Sequence, residues 1–185
     1  MNTLVLSSLA VAMLIIVCSF TETLALGELL PYRNPDYLIE LQYPKDHWTK
    51  YETLLDPHEI VRFETNEKAG GGGLFFDRPT GFVRLYAYTN DGISLKKMGD
   101  SMTMQFRNDT ENYRVLNSNL TQISNRSVYQ TLLYDYSNYS SFKTLETIFT
   151  HGSDFYEVMY TIDPGNFDKY LPEAKKIIES LRFDP

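Results

Sequence analysis

Between residues 37 and 162 the sequence runs in short stretches where apolar and polar residues alternate, each closed by a turn-forming cluster. No other feature constrains the fold as much. A period of two belongs to strands with a face in a core, and strands joined by tight turns pair antiparallel. In the first stretch Tyr37, Ile39, Leu41 and Tyr43 form one face, with Leu38, Glu40 and Gln42 on the other. Pro44-Lys45-Asp46-His47 reads as a turn, and residues 48–52 are expected to return along the first strand as a hairpin. Residues 60–65 form another strand. Residues 66–73, ending in four glycines, read as a mobile loop that packs no core. Residues 82–89 alternate most clearly, with Val83, Leu85 and Ala87 opposite Phe82, Arg84, Tyr86 and Tyr88. Further strands are expected over residues 119–124, 127–136, 142–150 and 155–162. The last two are joined by the turn His151-Gly152-Ser153-Asp154.

Two segments change period. Leu95, Met98, Met102 and Phe106 recur at three and four, the mark of an amphipathic helix, which Gly99 weakens by up to about 1 kcal/mol relative to alanine. After the break at Asp163-Pro164-Gly165, Leu171, Ala174, Ile178 and Leu181 form a second stripe with Ile177 beside it. Pro172 is expected in that helix's first turn, and Lys175, Lys176 and Glu179 face water. Such stripes stay wet unless they cover a sheet, so the fold class is α+β, an antiparallel sheet sandwiched by helices.

Ahead of this domain, residues 4–20 carry no charge over 17 residues, and Thr23-Leu24-Ala25 has the small residues that signal peptidase requires. Residues 1–25 are read as a signal peptide cut after Ala25 or as a membrane anchor, residues 26–36 as a linker, and residues 37–185 as one domain. Either reading of the leader makes the protein extracytoplasmic, secreted or anchored. The one cysteine, Cys18, lies in that leader, so the domain has no disulfide and no thiolate metal site. The net charge of −7 argues against a nucleic-acid partner. Four Asn-x-Ser/Thr sequons, at Asn108, Asn119, Asn125 and Asn138, are candidate N-glycosylation sites in an exported chain.

Catalytic and metal motifs are absent from the sequence. His47, His58 and His151 are the only histidines and form no His-x-x-x-His pair. Asp56-Pro57-His58-Glu59 clusters three candidate ligands but reads better as a capped loop. The four-glycine run lacks the lysine of a phosphate loop, and no Gly-x-Ser-x-Gly elbow occurs. Met98, Met102 and Met104 could suggest surface copper, but the first two share the helix stripe and are assigned to packing.

Three segments together resemble the PsbP family of extrinsic photosystem II subunits. They are the strand leading into Tyr43-Pro44-Lys45-Asp46-His47-Trp48, the hairpin Phe149-Thr150-His151-Gly152-Ser153-Asp154-Phe155-Tyr156, and the ending from Phe167 to Phe183. The resemblance covers residues 36–183. It implies a PsbP-like α/β/α sandwich and a non-catalytic accessory or binding module, and it brings weak calcium or manganese binding with it by family likeness alone. The leader lacks the Ser/Arg-rich character of a plastid transit peptide, so the chain is more similar to stand-alone prokaryotic and archaeal PsbP-like proteins. No cofactor is otherwise expected, and the partner expected is a membrane or cell-surface protein assembly. A carrier of an apolar or aromatic small ligand is the first alternative, and an extracytoplasmic hydrolase the second.

Overall fold

The computed structural model describes residues 27–52, 56–68, 79–136 and 141–184. The leader, Cys18, the four-glycine run and the Asn138 sequon lie outside them. The strands are β1 (Leu29–Asn34), β2 (Ile39–Pro44), β3 (Trp48–Tyr51), β4 (Glu59–Thr65), β5 (Gly81–Thr89), β6 (Tyr113–Ile123), β7 (Arg126–Asp135), β8 (Phe142–His151), β9 (Asp154–Ile162) and β10 (Arg182–Phe183). The helices are α1 (Leu95–Asn108) and α2 (Phe167–Ser180). Seven strands form an antiparallel sheet in the order β3-β4-β5-β9-β8-β7-β6, and three form a second sheet in the order β1-β2-β10. From β5 the chain crosses through α1 to the far edge, then meanders back through β6, β7 and β8 to lay β9 beside β5.

Central β9 shows how the layers form. Tyr156, Val158, Tyr160 and Ile162 enter the main core with α2 and the three-stranded sheet, while Phe155 joins Tyr129 and Ile148 on the opposite face, under α1. Both faces are thus buried along this strand. The α+β class and the antiparallel sheet between helices are as the sequence implies.

Local chemistry explains the helix ends. The Ser94 hydroxyl caps α1 by accepting from the Lys97 N–H at 3.3 Å. Asp163 accepts from the Gly165 and Asn166 N–H groups, turning the chain into α2. Gly99 is required by contact. A Cβ there would meet the Tyr129 ring at 2.1 Å, so the helix accepts the propensity cost to lie close on β7.

Four expectations need correction. The segment read as a linker, residues 26–36, contains β1, which pairs residue by residue with β2. Its Pro31 is tolerated because β1 is an edge strand. The hairpin expected of residues 37–52 does not form. β3 pairs with β4 in the other sheet, because burying Trp48 against Tyr160 and Tyr170 draws the chain across after Pro44. β6 begins at Tyr113, six residues earlier than expected. Pro172 is the sixth residue of α2, not in its first turn, and it stands exposed on the outer face.

Candidate functional site

The buried charges are the first place to look for chemistry, and three sets of them lie inside the fold. On α2, Glu173 is 1% exposed and accepts from Trp48 Nε1 at 2.6 Å, and it hydrogen-bonds His47 Nδ1 at 2.7 Å. The Lys45-Asp46-His47-Trp48 stretch that carries part of the resemblance therefore anchors the crossing segment to the closing helix. Beside it, Glu67 accepts from the Tyr170 hydroxyl and from Lys169, and these bonds hold its carboxyl below the usual range.

On the α1 face Arg62 forks onto Glu59 with two 2.8 Å bonds, and Arg84 Nε lies 3.6 Å from the same carboxylate. The Arg62 guanidinium is held further above its ordinary range by those bonds. Glu146 and Glu157 sit diagonally across β8 and β9 on this face. Burial pushes both carboxyls up, and for Glu146 the neighbouring Glu157 charge adds to the effect. Neither Glu146 oxygen makes a hydrogen bond of good geometry. The pair therefore retains a proton well above the ordinary carboxylate range. Burial also raises the Tyr88 hydroxyl beside Glu157.

The candidate residues of the sequence do not converge. Asp56 accepts from the backbone N–H of His58, the His58 ring lies 5.2 Å from Tyr88, and Glu59 turns inward to its arginines. Among the described residues no three His, Cys, Asp or Glu side chains stand close enough to share a metal ion. Met98 and Met102 pack against the Tyr129, Ile148 and Phe155 cluster, and Met104 points to solvent. Asn108, Asn119 and Asn125 are all exposed, at the end of α1, on edge strand β6 and in the β6–β7 turn. No helix among the described residues is long and apolar enough to cross a membrane.

What remains open is one end of the domain, where three chain turns meet the end of the described chain. In the β1–β2 turn the Asn34 side chain accepts from the Asp36 and Tyr37 N–H groups. Leu38 is then driven to φ +52, and its carbonyl accepts from Asp184 N–H at 2.7 Å. Leucine rarely occupies this left-handed region, at a cost of roughly 1–2 kcal/mol. Its side chain gains little from the position, being 49% exposed beside a similarly exposed Tyr37. Nearby, the His151 ring stacks on Phe183 at 4.2 Å, and Tyr156 lies 4.6 Å from Phe183. Two shallow, open depressions share His151. One includes Tyr37, Leu38, Asp154 and Tyr156; the other is lined by Ser124, Arg126, Arg182 and Phe183. The alternation places Tyr37 and Leu38 in the first strand, but β2 begins only at Ile39 and both side chains stand exposed in the turn before it. Nothing in the sequence joins them to Arg126 or Arg182, which they meet only through sheet pairing.

Comparison with known proteins agrees with the architecture. No protein-family model matches the sequence, and no curated protein matches it. Among solved structures, the chain is similar to cyanobacterial PsbP (CyanoP) from Synechocystis sp. PCC 6803, with a TM-score of 0.60 and 9% identity over 87% of this chain and 95% of that one. It is similar to LpqN of Mycobacterium tuberculosis, described as involved in cell envelope biogenesis, with a TM-score of 0.61 and 14% identity over 85% and 91% of the two chains. The Saccharomyces cerevisiae Ran-binding protein Mog1p matches with a TM-score of 0.55 and 7% identity over 85% and 96%. Identities this low speak to the scaffold alone. The chain has the PsbP-like fold.

Proposed function

We propose that this chain is an exported, non-catalytic binding module that engages a protein partner through the end of the domain carrying Tyr37 and Leu38. One observation carries the reading. An apolar side chain is held exposed on a left-handed residue where asparagine or glycine would cost less, so its identity has a use outside the fold.

The interior supports a module over a carrier. The space between the large sheet and α2 is filled by Trp48, Tyr160, Phe167, Tyr170 and Ile177, all nearly inaccessible. Over a hydrolase, the module is supported by the burial of Glu146 and Glu157, where no substrate reaches them. The names of two similar structures, a Ran-binding protein and a protein of envelope biogenesis, support an interaction role and an envelope setting without transferring either partner. The uncharged leader and the Thr23-Leu24-Ala25 site support export to a membrane or cell-surface assembly.

Photo-crosslinking in the native host tests this. A photoreactive residue at position 37 should give a discrete protein adduct in the extracytoplasmic fraction, and one at exposed Lys175 on α2 should not. Equal labelling from both positions, or none from position 37, would overturn the reading. Mass spectrometry of the native protein should place its N-terminus at or near Leu26; an intact Met1 in a soluble cytosolic fraction would refute export by cleavage.

A further inference from the structure

Beside that contact surface, and independently of it, we propose that Arg126 and Arg182 form a binding site for a tetrahedral oxyanion, a phosphate or sulfate group on a ligand. Arg126 Nη2 and Arg182 Nη1 both donate to the carbonyl oxygen of Leu181, at 2.6 and 2.8 Å. Two like charges are thereby fixed within a few ångströms of each other, a placement that repels unless an anion joins them.

Three other arginines are paired with carboxylates inside the domain. Arg33 pairs with Asp184, and Arg62 and Arg84 share Glu59. The depression lined by Arg126 and Arg182 contains no acidic side chain among its described residues; Ser124, His151 and Phe183 complete it. In a chain of net charge −7, this depression brings two arginines together with no carboxylate in its lining, Glu40 standing opposite Arg182 across β2 and β10. The Arg126 guanidinium is partly withdrawn from water over the Phe149 and Phe183 rings, 5.6 Å from each centroid. Burial and the Arg182 charge together depress its pKa, which an anion would reverse.

Each guanidinium has donors left after its carbonyl bonds: Arg126 uses one on Leu181, and Arg182 uses Nη1 on Leu181 and Glu179. A planar carboxylate is satisfied by one guanidinium fork. Two forks from different directions, with the Ser124 hydroxyl on the rim, suit the larger number of acceptors on a tetrahedral group. The backbone of Ser124 is itself held at φ +48 by the two-residue β6–β7 turn, which fixes the rim.

The test is a nitrogen-15 NMR titration of the purified protein with inorganic phosphate, and in parallel with acetate, at constant ionic strength. Phosphate should shift the amides of Ser124, Arg126, Arg182 and Phe183 and the arginine Nε–H signals along a saturable curve. Acetate should bind more weakly. Arg182→Gln, at an exposed side chain, should weaken phosphate binding about tenfold or more while the remaining amide spectrum shows the protein still folded. A linear drift with phosphate, equal binding of acetate, or an unchanged affinity in Arg182→Gln would each overturn the assignment. Co-sedimentation with phosphatidic acid vesicles, against phosphatidylcholine vesicles at the same salt, distinguishes the source. Retention that is lost in Arg182→Gln identifies a lipid headgroup, and saturable phosphate binding without vesicle retention identifies a soluble ligand.

Discussion

Replacing Gly99 with alanine sets two opposing effects against each other. In a water-facing helix interior the change gains roughly 0.8–1 kcal/mol. Here the new Cβ would stand 2.1, 2.3 and 2.4 Å from Cγ, Cδ1 and Cδ2 of Tyr129. That ring cannot step aside, because it is packed with Ile148 and Phe155 and its hydroxyl donates to Asp100 at 2.9 Å. Restoring an ordinary carbon–carbon separation of about 3.5 Å requires α1 to lift by roughly 1 Å or more. Lifting it strains the buried Thr103–Thr131 hydrogen bond at 3.1 Å and loosens Met98 and Met102 over the small core. Overpacking costs about 1–3 kcal/mol, and a weakened buried hydrogen bond adds about 1. The clash wins, and a net loss of about 1–3 kcal/mol is expected. Urea unfolding followed by the fluorescence of Trp48, the sole tryptophan, measures it. Ser101→Ala, exposed on the same helix, should stay within about 0.5 kcal/mol of the parent. A Gly99→Ala protein as stable as the parent or more so would refute the close approach of α1 to β7.

Glu173→Ala should cost about 2–4 kcal/mol in the same assay, because Trp48 Nε1 loses its buried acceptor and His47 its partner. A loss under 0.5 kcal/mol would show that the crossing segment is not held by α2. Glu146→Gln should change the pH profile of stability. The carboxyls of Glu146 and Glu157 are raised in the fold, so their protonated pair stabilises it fully below the unfolded glutamate range, about pH 4.3. That contribution is lost as pH rises through the pair's own folded pKa. Relative to the parent, the variant should gain stability with rising pH above about 4.3 and show no such gain below it. Glu67 and Asp100, whose pKa values are lowered, act in the opposite sense in acid and cancel in the comparison.

Much of the scaffold was legible in the sequence. The alternation in β2, β5 and β9 and the Gly152 hairpin follow directly from local rules, and so do the two helical stripes. Pairing between distant strands was not legible. A four-residue turn after β2 looks like a hairpin turn, and only the burial of Trp48 against Tyr160 and Tyr170 reveals that the chain changes sheets there. Pro31 hid β1, since a proline reads as a break unless the strand is known to be an edge. Glu146, Glu157 and Glu173 look solvated by residue type, yet the first two lie in strands covered on both faces and the third reaches back to an indole. The candidate surface was invisible for the same reason. Its residues come from the β1–β2, β6–β7 and β8–β9 turns and from the end of the described chain.

Leu38→Asn most directly tests whether that surface is kept for contact. Asparagine tolerates the left-handed backbone at φ +52 and gives up little buried area, so the domain should become more stable, by up to about 1 kcal/mol. The adduct formed from a photoreactive residue at position 37 should at the same time be lost. A more stable protein with a weakened complex is the predicted result. A destabilised protein would mean that Leu38 serves the fold, and an undiminished adduct would mean that its side chain serves no partner.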